Sequence, residues 1–141
     1  MKEKLIIVSG YFNPLHRGHI EYFHKAKQQG VFLVVIINND VQRSLKKSKE
    51  FMDDKERALI VNELEVVDEV FISIDLDKTV KESIKQIFKT YSDKYECIFA
   101  NGGDQNNEQI PEKQICDELG VKLIDGLGNK IQSSSWILRK K

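Results

Sequence analysis

The chain alternates short apolar runs with segments whose apolar residues recur every three or four positions. Apolar runs rich in β-branched residues are typical of strands buried on both faces, and the other segments have the periodicity of amphipathic helices. The pattern predicts strands over 4–9, 31–37, 66–74, 97–100 and 121–124. It predicts helices over 20–29, 53–64, 78–91 and 108–119, and a short last helix from Ser133 or Ser134 to Arg139.

Residues at the ends of these segments support the assignment. Gly30 and Gly120 each follow a predicted helix, where glycine commonly ends the helix. Asp53 or Asp54 is suited to N-cap the helix over 53–64.

The alternation of strands and helices predicts an α/β fold, a Rossmann-like doubly wound parallel sheet of five strands. No linker, repeat or low-complexity segment interrupts the pattern, so residues 1–141 are predicted to form one domain. Ligands of such sheets bind beyond the carboxyl ends of the strands. Glycine- and polar-rich segments follow four of the strands, at 10–19, 38–40, 101–104 and 125–128.

Charge and hydropathy exclude several classes of protein. The 22 basic and 22 acidic side chains give a net charge of zero, which gives no support for nucleic acid as a partner. No segment approaches the ~20 apolar residues of a membrane span. Met1 to Lys4 lead directly into a short apolar run, unlike a signal peptide. These features predict a cytoplasmic protein that does not bind membranes.

The two cysteines are predicted to have no chemical role. Cys97 and Cys116 are far apart and lack the C-x-x-C spacing of zinc sites and redox motifs. Cys97 lies in an apolar run and is predicted to be buried in the core. We predict no protein-bound metal.

The candidate chemistry lies in the segment that joins the first strand to the first helix. There, Gly10 allows the backbone to approach a ligand closely, Phe12 can fill the core under the turn, and Gly18 leaves space between two histidines. His16 and His19 are three residues apart, so both can face one phosphate. The helix N-terminus adds free N–H groups and a positive dipole. The alternative is a turn with two surface histidines, but the strand and helix around it favour a functional site.

The pattern G-x-F-N-P-x-H-x-G-H resembles the signature of the HIGH-type nucleotidyltransferases, and is most similar to their small cytidylyltransferase-like branch. Later segments match this branch in order, over nearly the whole chain. The resemblance implies catalytic roles for His16, His19, Lys46 and Arg57. It implies nucleotide-binding roles for Gly10, Tyr11, Phe12, Gly18, Gly103, Asp104, Ser133, Ser134 and Ser135.

Each of the later residues has a plainer interpretation. Lys46 lies in a basic cluster that can be a solvated loop. Arg57 can be an exposed helix residue paired with Asp53, although its planar fork suits two phosphate oxygens. Asp104 can be a turn former, and the three serines at 133–135 can cap a helix.

The family implies transfer of CMP or AMP from a nucleoside triphosphate to a small phosphate monoester, such as a sugar or polyol phosphate, with release of pyrophosphate. It also implies Mg²⁺ bound with the triphosphate, and a homodimer. Asn13 stands where many cytidylyltransferases carry Asp, and residues 128–132 lack the family's arginine, so the base and the acceptor stay open. The alternatives are an FMN or pantetheine-phosphate adenylyltransferase, or a nucleotide-binding module without catalysis.

Overall fold

A computed structural model describes residues 2–45, 52–102 and 110–127 of the chain. The strands are β1 (Glu3–Gly10), β2 (Phe32–Ile37), β3 (Glu69–Ile72), β4 (Tyr95–Gly102) and β5 (Lys122–Leu127). The helices are α1 (Arg17–Lys27), α2 (Asp40–Leu45), α3 (Asp54–Asn62), α4 (Lys81–Tyr91) and α5 (Lys113–Leu119).

The five strands form one sheet in the order β3-β2-β1-β4-β5, and every neighbouring pair is parallel. This confirms the predicted Rossmann-like sheet. The chain proceeds outward from β1 in one direction and then from β4 in the other, so the order reverses between these two strands. Ligands of open α/β sheets bind at such a reversal, outside the carboxyl ends of the strands. The segment after β1 lies at that position.

Two apolar cores cover the two faces of the sheet. Ile6 and Val8 of β1 belong to one core, which also contains side chains of α1 and α3. Leu5 and Ile7 belong to the other core, with side chains of α4 and α5. Because helices cover both faces, the four successive residues from Leu5 to Val8 are all buried, which explains the unbroken apolar run. No helix in the described part of the chain is both long and apolar enough to span a bilayer.

Both cysteines are buried, as predicted for Cys97. Burial raises the pKa of the Cys97 thiol to about 11. Burial, together with the nearby Glu112 and Asp117 carboxylates, raises the pKa of Cys116 to about 12. Because the thiolate is the nucleophilic form, neither cysteine is suited to nucleophilic chemistry at neutral pH.

The glycines that follow α1 and α5 differ in their roles. Gly120 has a φ of 83° and caps α5 in the left-handed conformation, as expected. The expected role of Gly30 is wrong, because α1 already ends at Lys27 with Gln28 as its C-cap. Gly30 instead lies against β1, where an added Cβ would be 2.5 Å from the backbone oxygen of Lys4. The glycine is therefore needed for close approach of two backbone segments.

We expect Gly30→Ala to lower the free energy of unfolding by about 1–3 kcal/mol, the typical cost of inserting a methyl group into a packed site. The contact is with backbone, which cannot rotate away as a side chain can. Urea denaturation measures the change. Gln29→Ala is the control, because Gln29 is exposed and its replacement should change stability by less than about 0.5 kcal/mol. Equal stability of the two variants would contradict this account of Gly30.

Helix α2 was not predicted, because its six residues are mostly polar and show no apolar period. Its start carries a capping box instead. The Asn39 side-chain oxygen accepts from the backbone N–H of Gln42 (2.9 Å), and the Gln42 side-chain oxygen accepts from the backbone N–H of Asn39 (3.0 Å). The Gln42 amide is buried and donates to the carbonyls of Asp77 and Thr79. The spacing Asn-x-x-Gln is the sequence signal that indicates this helix.

Candidate active site

The segment after β1 is shaped by an unusual backbone at Phe12. Its φ is 52°, in the left-handed region, and its ring is buried in the core. The ring contacts His19 edge-on with 4.8 Å between ring centroids, and Phe23 with 5.3 Å. A Cβ on Gly10 would lie 2.6 Å from this ring. Gly10 therefore makes space for the Phe12 ring, and the Phe12 ring packs against His19.

The two histidines cap helix α1 with their own side chains. His16 is the N-cap, and its Nδ1 accepts from the backbone N–H of Gly18 at 3.1 Å. The Nδ1 of His19 accepts from the backbone N–H of His16, also at 3.1 Å. The arrangement is a capping box in which imidazoles replace the usual hydroxyl and carboxylate. Helix α1 thus begins at Arg17, three residues before the start predicted from apolar periodicity.

The capping box determines which ring nitrogens can serve a ligand. A neutral imidazole that accepts at Nδ1 carries its proton at Nε2, so His16 and His19 both hold an Nε2–H donor. Within residues 2–45, 52–102 and 110–127, no protein group bonds to either Nε2. The two rings are stacked, with centroids 3.8 Å apart and planes inclined by 26°. The site therefore presents two neutral N–H donors side by side.

The backbone amides of the helix N-terminus are less available than the sequence suggested. The N–H of Gly18 is bonded to His16 Nδ1, and the N–H of His19 donates to the carbonyl of His16 at 3.0 Å. The expectation that these free amides bind the ligand is therefore wrong for these two groups. The imidazole Nε2–H groups are the donors that the capping box leaves free.

The charge state of His19 follows from its surroundings. Burial, and secondarily the neighbouring His16, lowers the pKa of His19 to about 4. The ring is therefore neutral at physiological pH and keeps its Nδ1 lone pair for the capping bond. Protonation of Nδ1 would break this bond and place two donors opposite each other.

This pKa predicts a pH dependence of stability. Between about pH 6.5 and pH 4 the unfolded chain binds a proton at His19 that the folded chain does not bind, so the free energy of unfolding falls as the pH is lowered through this interval. We expect a contribution on the order of 1–2 kcal/mol, because the ring is only partly buried. Urea denaturation from pH 4 to pH 7 measures it by comparison with His19→Asn, which cannot titrate there. Parallel curves for the two proteins would contradict the lowered pKa.

Arg57 lies under the same loop and is fully buried, with its side chain 0% exposed. Its Nη1 donates to the carbonyls of Tyr11 (2.7 Å) and Asn38 (2.8 Å). Its Nε donates to the carbonyl of Met52 (3.1 Å), and Nη2 pairs with the Asp40 carboxylate (2.9 Å). The alternative of an exposed residue paired with Asp53 is wrong. A direct contact between Arg57 and phosphate stays a prediction. In the observed arrangement, the guanidinium lacks the exposed surface that such a contact needs.

Other side chains of the loop also bond to neighbouring segments. The Asn13 side-chain oxygen accepts from the backbone N–H of Met52 at 3.1 Å, just before α3. Asp53 accepts from the N–H of Glu56 and so N-caps that helix, as one of the two predicted residues. The Tyr11 hydroxyl donates to the carbonyl of Gln42 at 3.4 Å, and burial raises the pKa of Tyr11 although Arg57 opposes the shift. The bonds of Tyr11 and Asn13 attach the loop after β1 to α2 and to the residue pair that precedes α3.

Comparison with known proteins gives the family to which this chain belongs. A model of the cytidylyltransferase-like family matches residues 7–131. The chain belongs to the cytidylyltransferase-like family. This membership confirms the resemblance carried by the G-x-F-N-P-x-H-x-G-H pattern and makes the protein a nucleotidyltransferase.

Two relatives of this cytidylyltransferase-like protein differ in length. The FAD synthase of Picrophilus torridus is 33% identical over an alignment of 141 positions, which covers 96% of this chain and 94% of the relative. The bifunctional protein HldE of Wolinella succinogenes is 30% identical over 139 residues, which cover 97% of this chain and 27% of the relative. The chain therefore spans nearly all of the first protein and about a quarter of the second.

A solved structure is similar in fold. The lipopolysaccharide core biosynthesis protein from Thermoplasma volcanium GSS1 superposes with a TM-score of 0.67 at 23% identity. The superposition covers 87% of this chain and 95% of that one, which supports the Rossmann-like architecture.

Several predicted site residues of this cytidylyltransferase-like protein lie outside the described residues: Lys46, Gly103, Asp104, Ser133, Ser134 and Ser135. Their roles stay predictions, as does the nucleotide-binding role of Gly10, Tyr11, Phe12 and Gly18. In the part of the chain that the structure describes, no three His, Cys, Asp or Glu side chains come together as a metal site.

Proposed function

We propose that this cytidylyltransferase-like protein transfers CMP or AMP from a nucleoside triphosphate to a small phosphate monoester, such as a sugar or polyol phosphate, and releases pyrophosphate. The pair of stacked, neutral imidazoles at the carboxyl end of β1 is the observation that carries this proposal. Two adjacent N–H donors with no acceptor among the described residues suit the oxygens of a phosphate that gains negative charge during reaction.

In the proposed reaction, an oxygen of the acceptor phosphate attacks the α-phosphorus of the triphosphate. A new bond forms between that oxygen and the α-phosphorus, and the bond to the α–β bridging oxygen breaks. The electron pair of the broken bond leaves with pyrophosphate. Because a phosphate monoester is already ionised at neutral pH, no general base is needed. Catalysis then depends on alignment and on stabilisation of charge.

The two histidines would act as hydrogen-bond donors rather than as acids or bases. We assign their Nε2–H groups to the α-phosphate and the bridging oxygen, where charge increases as the bond breaks. The lowered pKa of His19 agrees with this role, because the ring is a weak base that stays neutral at pH 7 and keeps its Nδ1 lone pair for the capping bond. The capping bonds hold both rings in one tautomer before the substrate arrives.

Mg²⁺ is expected to bind with the nucleoside triphosphate. The imidazole Nε2–H donors at the loop suit phosphate oxygens rather than a cation, so we place the ion on the triphosphate oxygens. When bound, it neutralises charge on the leaving pyrophosphate.

The other family residues complete the proposal. Lys46 and the serines at 133–135 would hold the phosphates, and Gly103 and Asp104 would contact the base and sugar, together with the loop from Gly10 to Phe12 and Gly18. We also propose a cytoplasmic homodimer that does not act on nucleic acid, in agreement with the zero net charge.

A second candidate is FMN adenylyltransferase, in which ATP and FMN give FAD. The similarity to FAD synthase over nearly the whole length of both chains favours it. FMN is itself a phosphate monoester, so the chemistry at the α-phosphorus would be the same. The two candidates differ in the pocket that holds the organic part of the acceptor.

Turnover with a panel of substrates tests the proposal. ATP and CTP, each with Mg²⁺, are paired with glycerol 3-phosphate, heptose phosphate, FMN and pantetheine phosphate, and pyrophosphate release is measured. We expect release with one pair and its loss in His16→Asn. His24→Asn is the matched control, because His24 is an exposed histidine of the same helix. Nucleotide binding without release for any pair would favour a binding module, and absence of nucleotide binding would contradict the proposal.

A further inference from the structure

We infer that Arg57 is a positioning residue, which sets the two histidines through the backbone of the loop after β1 and does not contact the substrate. The kinetic part of this inference rests on the proposed function, whereas its spectroscopic part concerns the free protein. The Arg57 guanidinium is buried and bonded to protein groups at Nε, Nη1 and Nη2.

The four partners of Arg57 come from three segments that surround the site. Tyr11 belongs to the loop after β1, Asn38 and Asp40 lie where β2 leads into α2, and Met52 leads into α3. Carbonyl oxygens accept three of the four bonds. A guanidinium is suited to this task because its donors lie in a rigid plane and point in several directions. A lysine ammonium has its three donors on one atom and cannot reach three separated segments in the same way.

The bond to Tyr11 bears directly on the histidines. The carbonyl of Tyr11 and the N–H of Phe12 share one peptide plane, so an anchored carbonyl restricts φ of Phe12. That φ is 52°, a region that a side chain other than glycine occupies only when its surroundings hold it there. The Phe12 ring then contacts the His19 ring, and His19 accepts from the backbone of His16. The chain of contacts runs from Arg57 to both imidazoles.

A second route leads to the same loop. The Nε of Arg57 holds the carbonyl of Met52, and the N–H of Met52 donates to the side chain of Asn13. Both ends of the segment from Tyr11 to Asn13 are thus attached to Arg57, directly or through Met52. We expect the loop to sample other conformations, and the capping bonds of the histidines to weaken, when these attachments are lost.

Arg57→Lys tests the inference, because it keeps the positive charge and removes the planar guanidinium with its several donors. We expect kcat to fall about 10- to 100-fold, the effect of a small misplacement of reacting groups, with KM for nucleotide and acceptor changed less than about threefold. The ¹⁵N spectra of the free protein should show His16 and His19 in the Nε2–H tautomer for the wild type, and a mixture of tautomers for the variant.

Ile87→Ala is the control, since Ile87 of α4 is buried in the core on the other face of the sheet, which does not include Phe12. It should lower stability and leave kcat and the tautomers unchanged. If Arg57→Lys does not fold, Asp40→Ala replaces it, because this carboxylate is about one-third exposed and pairs with Nη2. We expect the same changes to a smaller extent. An increase of KM by more than tenfold with unchanged tautomers would overturn the inference in favour of a phosphate contact. Unchanged kcat and tautomers in a folded variant would also overturn it.

Discussion

His16→Asn should lower kcat about 100- to 1000-fold and leave the stability of the protein nearly unchanged. Asparagine is a favourable N-cap, and its side-chain oxygen can accept from the N–H of Gly18 as His16 Nδ1 does. It has no group that reaches the position of Nε2. Loss of one donor that stabilises charge in a transition state typically has this effect on rate. Steady-state kinetics and urea denaturation of the same preparation measure both quantities.

His16→Ala separates the cap from the catalytic donor. This variant loses both functions, so we expect the same loss of kcat and a decrease of about 0.5–2 kcal/mol in the free energy of unfolding. The exposed His24 again provides the control, and His24→Asn should change neither quantity. Wild-type kcat in His16→Asn would show that the Nε2–H group is not used, and the proposed role of His16 would be wrong.

His19 permits a sharper comparison, because two amide side chains imitate different parts of its ring. His19→Asn keeps an acceptor for the N–H of His16 and removes the donor at Nε2. His19→Gln has an N–H that can lie near the position of Nε2, and its oxygen can accept from the N–H of His16 as Gln42 does from Asn39. We expect kcat to fall about 100- to 1000-fold in His19→Asn and only about tenfold in His19→Gln.

The stabilities of these two variants should be similar. Either side chain can keep the capping bond, and both lose the ring that contacts Phe12. Urea denaturation compares them under the same conditions. Higher activity in His19→Asn than in His19→Gln would contradict the assignment of Nε2 as the donor to substrate.

The sequence predicted the sheet because its central strands are apolar on both faces, as the unbroken burial from Leu33 to Ile37 shows. The helices were predicted where one face is apolar. Helix α2 was missed because its start is marked by polar side chains of Asn39 and Gln42. The early start of α1 was missed for the same reason, since imidazole caps are not among the usual N-cap residues.

At the site, too, the sequence predicted what depends on local spacing and missed what depends on tertiary contacts. Spacing alone placed His16 and His19 together, because residues three apart meet at a helix start. Nothing in the local sequence indicates that Arg57 is buried, since an arginine in a helix between charged residues resembles a surface position. Its partners, the carbonyls of Tyr11, Asn38 and Met52, are backbone groups that no residue pattern reveals.

Tracing a ³²P label from the triphosphate tests most directly whether a nucleotidyl group is transferred at the histidine pair. The protein is incubated with Mg²⁺, the acceptor that gives turnover, and nucleoside triphosphate labelled with ³²P at either the α or the γ position. We predict that the α label appears in the product joined to the acceptor and the γ label in pyrophosphate, and that His16→Asn and His19→Asn reduce both at least 100-fold. Transfer of the γ label to the acceptor, or full activity in either variant, would contradict the account.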